Sequence, residues 1–145
     1  MAEALLNDLC YAPPVCSMVD VERLLNAKKI RATSAGLFAT GAPIAPNAVA
    51  ALEAAGVRAT PENPYPSHRS RTVDEETMAA CDLIVGMTSA HALRLMMAFP
   101  AYASKVTSMP VDIPDPYGGD AADYAACLSE IEKGIRTLFF AEEVT

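Results

Sequence analysis

The sequence predicts an α/β fold: a three-layer sandwich in which helices cover both faces of a short parallel sheet. Three observations carry the prediction. Segments of strand length, the apolar run CDLIVGM at 81–87 and KVTSMPV at 105–111, alternate with longer segments of helical period. CDLIVGM is apolar almost throughout, as in a strand covered on both faces, and does not alternate like a half-exposed one. A helix of about ten residues separates the two runs, the crossover that makes consecutive strands parallel.

The elements follow in order. MAEALLNDL opens the chain as a helix with Leu5, Leu6 and Leu9 on one face, ended by Pro13-Pro14. Ser17-x-x-Asp20 caps a second helix that runs to about Ala27, with Val21, Leu24 and Leu25 inward. KIRATSAG reads as a short strand over 29–34, stopped at Gly36. PNAVAALEAAG is a helix with proline in its first turn and Gly56 at its C-terminal cap. Residues 58–71 are polar and broken by prolines.

Thr72-x-x-Glu75 has the capping-box pattern and opens a short helix to Ala80. The 82–87 strand, a helix from Thr88 to Phe99 stopped by Pro100, and the 105–111 strand come next. A loop over 109–119 leads to a last helix starting near Asp120 or Ala121. In it Tyr124, Leu128, Ile131, Ile135 and Leu138 are spaced by four and three and form one core stripe. The expectation is three strands and five helices in a single domain spanning 1–145.

Composition narrows the function. The chain has 145 residues, 52% of them hydrophobic, which is enough for a buried core. Its net charge is −7 and its pI about 4.7. That balance argues against nucleic acid and anionic membrane surfaces as partners. No apolar run approaches the ~18 residues of a membrane span, and the cytoplasm is the expected location. Cys10, Cys16, Cys81 and Cys127 show no Cys-x-x-Cys spacing, so free thiols are expected, with no metal and no cofactor.

The chemistry concentrates in MPVDIPDPYGGDAADY, 109–124. Asp115 stands between Pro114 and Pro116, with Tyr117 and two glycines after it. Proline fixes its own φ and restrains the residue before it, so the carboxylate is held stiffly. The loop leaves the carboxyl end of a strand, where sheets of this kind bind ligands. A rigid carboxylate there suits general acid work; a plain turn is the alternative. His68 lies in SHRSR, where Arg69 and Arg71 could hold an anion or face water. A lone histidine is read as a structural hydrogen-bonder or a catalyst.

SHRSR, CDLIVGMTSAH and DIPDPYGGDAADYAACLSEIEKGIRTLF together resemble consecutive segments of the low-molecular-weight protein-tyrosine-phosphatase family. That family includes bacterial protein-arginine phosphatases, and arsenate reductases share its fold. ATSAGLFATGAPIAPNAVAALEAAGV is similar to its second strand and following helix, and MAEALLN to its first helix. The resemblance implies a phosphoprotein substrate. It implies a cysteine thiolate that attacks phosphorus in a Cys-x5-Arg loop cradled by backbone N–H groups. It also implies an aspartate that protonates the leaving group and then activates water. By motif, Asp115 takes that acid/base role, Tyr117 lines the substrate cleft, and His68 braces the phosphate loop.

The departure is equally specific. Six residues after Cys10, Cys16, Cys81 and Cys127 stand Cys16, Glu22, Met87 and Lys133, so the sequence contains no Cys-x5-Arg. Relative to the family the chain reads as truncated at its N-terminus, which predicts an inactive polypeptide. Two readings follow: a phosphatase whose gene begins upstream, or a non-catalytic relative that binds or regulates. The family's first strand is central, so its loss predicts direct pairing of the 29–34 and 82–87 strands. Completion of the sheet in a homo-oligomer is the second option, and filling by 10–29 the third. An ammonium at Met1 opposes the helix dipole, so a frayed first turn is also expected.

Overall fold

The computed structural model of the protein describes residues 1–9, 31–37, 39–61 and 63–139. The expected helix over 17–27 and the start of the expected 29–34 strand lie outside them. The described elements are α1 (Ala2–Leu9), α2 (Pro46–Ala54), α3 (Glu75–Ala80), β1 (Ile84–Gly86), α4 (Ser89–Ala98), β2 (Val106–Ser108) and α5 (Ala121–Phe139). Single-turn and two-turn 3-10 segments add Tyr65–Ser67 and Pro100–Lys105.

β1 and β2 pair in parallel, Ile84 opposite Val106 and Gly86 opposite Ser108, with α4 as the crossover. Neighbouring residues of β1 face different cores. Val85 packs against the cluster of Leu5, Leu6, Leu52, Leu128, Ile131 and Ile135, contributed by α1, α2 and α5. Ile84 packs against Met78, Ala92, Leu95 and Val106 on the other side. The sheet is therefore the middle of three layers, as its continuous apolar pattern requires.

The sheet has two strands among the described residues, not three. Residues 31–35 form no ladder with β1, and the reason is visible in their hydrogen bonds. Ala32 donates its N–H to Asn7 Oδ1 (2.8 Å) and accepts from Asn7 Nδ2 (3.1 Å). Further on, Gly36 bridges Thr72, its N–H donating to Arg71 O (2.8 Å) and its carbonyl accepting from Val73 N (2.9 Å). The expected pairing with 82–87 is replaced by a helix side chain and by the 71–73 segment.

The helix ends show which local signals held. Pro46 opens α2, and Gly56, at φ 80°, follows its cap residue Ala55. Thr88 caps α4 by accepting from His91 N at 3.1 Å. For α3 the expected box from Thr72 is not the cap. Asp74 accepts from Thr77 N at 2.8 Å, while the Thr72 hydroxyl donates to Ala39 O. The hydrogen bonds from Thr77 hold the Asp74 carboxyl below its usual range. At the other end of α3, Lys105 Nζ donates to the carbonyls of Met78 (3.2 Å), Ala79 (3.1 Å) and Cys81 (2.9 Å). This ties the start of β2 to the end of α3.

Two contacts fix the layers. A Cβ on Gly86 would lie 2.7 Å from Ala92 N and 3.0 Å from Thr88 O, so only glycine lets the first turn of α4 rest on the end of β1. The first turn of α1 is closed, not frayed: Leu5 N donates to Met1 O at 2.9 Å. Burial lowers the pKa of the Met1 ammonium, and the Glu3 carboxylate counters that.

Candidate active site

The 109–119 loop continues the sheet beyond its strands. Met109 N donates to Gly86 O at 2.9 Å and Ile113 N to Met87 O at 3.0 Å. Met109 and Ile113 are buried, while the residues from Pro114 to Gly118 rise into solvent with Asp115 exposed. Between the two buried anchors, Asp112 turns to the start of α4. Its Oδ1 accepts from Ser89 N at 2.8 Å, and its Oδ2 from the Ser89 hydroxyl at 3.3 Å.

Asp115 is ordered by its own neighbours. Its Oδ1 accepts from Tyr117 N at 3.0 Å, closing an Asx-type turn. Gly119 N donates to Pro116 O at 2.8 Å, and Gly118 at φ 83° supplies the left-handed residue that this turn needs. Asn47 Nδ2, in the first turn of α2, donates to Gly119 O at 3.3 Å. Asp120 and Asp123 then cap α5 reciprocally: Asp120 N donates to Asp123 Oδ2 (3.0 Å) and Asp123 N to Asp120 Oδ1 (2.9 Å). Tyr117 is 83% exposed, a ring standing in solvent beside the carboxylate.

Two side chains of α5 connect this loop to α1. The Cys127 thiol lies 3.7 Å from Pro114 O. Burial pushes its pKa up; the Met1 ammonium opposes that and the Asp115 carboxylate adds to it. Burial likewise raises the Tyr124 phenol, with smaller contributions from Asp115, Tyr117 and Cys127. Cys127 thus feels both the Met1 ammonium and the Asp115 carboxylate, and Tyr124 feels Asp115 and Tyr117. The start of α1 carries the positive end of the helix dipole, which favours anions.

His68 reaches the same turn by another route. Its Nδ1 is 3.5 Å from Glu3 Oε2, and Glu3 Oε1 accepts from the Ser34 hydroxyl at 3.1 Å. Among the described residues no hydrogen bond joins His68 to Asp115 or Tyr117; His68 meets the first turn of α1 through Glu3, while the Asp115 carboxylate bonds to Tyr117 N. The neighbouring arginines are tied to the protein. Arg69 donates to Gly41 O at 3.1 Å. Arg71 donates to Ser34 O, Thr77 Oγ1 and Thr33 Oγ1 at 3.1, 3.3 and 3.0 Å.

Sequence reasoning singled out Asp115, Tyr117 and His68 as site residues and gave no place in the site to Glu3, Asp112, Asn47 or Cys127. An acidic residue in a helix first turn was the available signal for Glu3. Cys127 has only its place three residues after Tyr124 on the same helix, and Asp112 and Asn47 carry no local pattern. Among the described residues no group of three or more His, Cys, Asp or Glu side chains could hold a metal ion. No helix among them is long and apolar enough to cross a membrane.

Comparison with curated proteins gives no match. Solved structures do match. The YwlE mutant from Bacillus subtilis shares 28% identity at a TM-score of 0.74, covering 94% of this chain and 84% of that one. The YwlE arginine phosphatase from Geobacillus stearothermophilus shares 26% at 0.69, covering 94% and 86%. The low molecular weight protein tyrosine phosphatase from T. tengcongensis shares 25% at 0.75, covering 97% and 88%. The family model for low molecular weight phosphotyrosine protein phosphatase matches residues 17–145, and the chain therefore belongs to that family.

Proposed function

We propose that the site is the acid half of a protein-phosphatase centre. Asp115 serves as general acid and then general base, Tyr117 forms the wall of the substrate cleft, and His68 acts as a brace through Glu3. The substrate is a phosphoprotein carrying phosphotyrosine or phosphoarginine; structures of both tyrosine and arginine phosphatases resemble this chain. The observation that carries the reading is a stiff, solvent-open carboxylate on a strand-end loop, ordered by its own Asx-type turn, in a chain of this family.

The 145-residue polypeptide on its own does not turn over phosphate. Its sequence holds no Cys-x5-Arg, so phosphorus meets neither a thiolate nor a bidentate clamp. The same observation favours a second reading, a non-catalytic relative that binds phosphoprotein without hydrolysing it. The test is turnover of para-nitrophenyl phosphate and of phosphoarginine by the purified chain and by its Asp115→Asn variant. The expected rate equals that of buffer for both. Turnover that Asp115→Asn lowers by about 10²–10⁴-fold would refute inactivity while upholding Asp115 as the acid. Turnover indifferent to Asp115→Asn would refute both.

A further inference from the structure

We propose that Asp112 and Asn47 are positioning residues that clamp the Pro114–Gly118 segment from two different elements. The inference rests on the reading of Asp115 as the acid and names what holds that acid in place. Two hydrogen bonds close locally, Tyr117 N to Asp115 Oδ1 and Gly119 N to Pro116 O, and one comes from outside, the Cys127 thiol 3.7 Å from Pro114 O at the near end of the segment. The local bonds give the segment its shape and leave its place on the molecule to its two ends.

At the near end, Ile113 is buried and bonded to Met87 O, but a single N–H···O bond is a pivot. Asp112 adds two further bonds, both to Ser89, the first residue of α4. A carboxylate at that position also meets the positive end of the α4 dipole, which strengthens it. At the far end, Gly119 O receives Asn47 Nδ2 from the first turn of α2. α4 packs on the sheet and α2 packs on α5, so the two holds come from opposite layers of the sandwich. A segment held at both ends by separate layers keeps Asp115 at a fixed height, which a general acid requires to within a fraction of an ångström.

Ser89→Pro is the cleanest perturbation. It removes both donors to Asp112 and leaves the carboxylate in place. Proline is favoured at a helix's first position. Thr88 before it is already extended, at φ −129° and ψ 162°, as a residue preceding proline must be. Helix α4 is therefore retained while the latch is lost. Asn47→Ala releases the other end. The readout is the backbone order parameter of the Asp115, Tyr117 and Gly118 amides by NMR relaxation, with α5 amides as the internal reference.

The parent chain should give values near the rigid limit of about 0.85, and the Ser89→Pro/Asn47→Ala double variant values below about 0.6. Each single change should give an intermediate value, with α5 unmoved. Asp112→Asn retains an acceptor for Ser89 N and should stay close to the parent, whereas Asp112→Ala should match Ser89→Pro. Unchanged order parameters in the double variant overturn the clamp, whatever the enzymology shows. A loosened loop upholds the clamp whether or not the chain turns over phosphate; turnover indifferent to Asp115→Asn would count against the catalytic reading alone.

Discussion

Gly86→Ala should destabilise the protein far more than Gly134→Ala, although both add one methyl group to a buried glycine. At Gly86 the new Cβ would meet Ala92 N at 2.7 Å, Thr88 O at 3.0 Å and Ala92 Cα at 3.1 Å. All three are backbone atoms of the α4 start, so relief requires moving the helix off β1. Overpacking of that kind costs about 1–3 kcal/mol or more. At Gly134 the nearest atom is the Met109 thioether at 2.8 Å, followed by Pro110 Cδ at 3.6 Å. A methionine side chain can swing aside, and alanine in a helix interior regains about 1 kcal/mol over glycine.

The two terms nearly cancel at Gly134, and the net change should stay within about 1 kcal/mol of zero. For a chain of this length each kcal/mol moves Tm by about 2–4 °C. Thermal unfolding followed by circular dichroism should therefore show Gly86→Ala lower by about 2–12 °C and Gly134→Ala less affected, within about 4 °C of the parent. Urea unfolding should give the same order at unchanged slope. A Gly86→Ala protein as stable as the parent would refute the close seating of α4 on β1. A larger loss at Gly134 than at Gly86 would refute the ranking of backbone over side-chain neighbours.

Three more outcomes follow from the same contacts. Asn63, only 6% exposed, donates Nδ2 to Ala4 O at 2.9 Å, so Asn63→Ala should lower urea stability by about 1–3 kcal/mol. Lys105→Met removes the donor to three carbonyls at the end of α3 and should cost about 1.5–3 kcal/mol, measured the same way, with Lys105→Arg partly restoring it. Burial raises the pKa of Cys127, Tyr65 and Tyr124 above their ordinary values of 9.0, 10.0 and 10.0. A raised pKa in the fold means the proton is held more tightly there, so stability is full below pH 9 and declines as pH climbs past these values. Tyr124→Phe should flatten that alkaline decline in Tm; an unchanged slope would show that Tyr124 ionises freely.

Much of the architecture was legible because its signals are local. Pro46, Gly56, Thr88 and Pro100 mark helix ends by backbone chemistry alone, and the Tyr124-to-Ile135 spacing gives the core face of α5 directly. The continuous apolar run at 82–87 announced a strand covered on both faces, and Ile84 and Val85 face opposite cores. The third strand failed because strand propensity says nothing about who takes the hydrogen bonds. Asn7, 25 residues before Ala32, takes both of its backbone groups. Asp115 and Tyr117 could be read because the Pro-Asp-Pro-Tyr order is itself a constraint. Their supports could not: Asp112 and Asn47 act across 23 and 72 residues, and no local spacing encodes such contacts.

The Asn7 contact has a consequence for the solution behaviour of the chain. A carboxamide presents an N–H beside a C=O in one plane, the same pair of groups that a neighbouring strand would offer. With Asn7 against Ala32, one peptide of the 31–35 segment is capped by a helix side chain, which breaks the row of unpaired backbone groups on which a second molecule could build. Proteins commonly blunt such edges with lysines, prolines or bulges. Here a single amide on α1 does so at Ala32, and the register of the helix over that segment decides which peptide is covered.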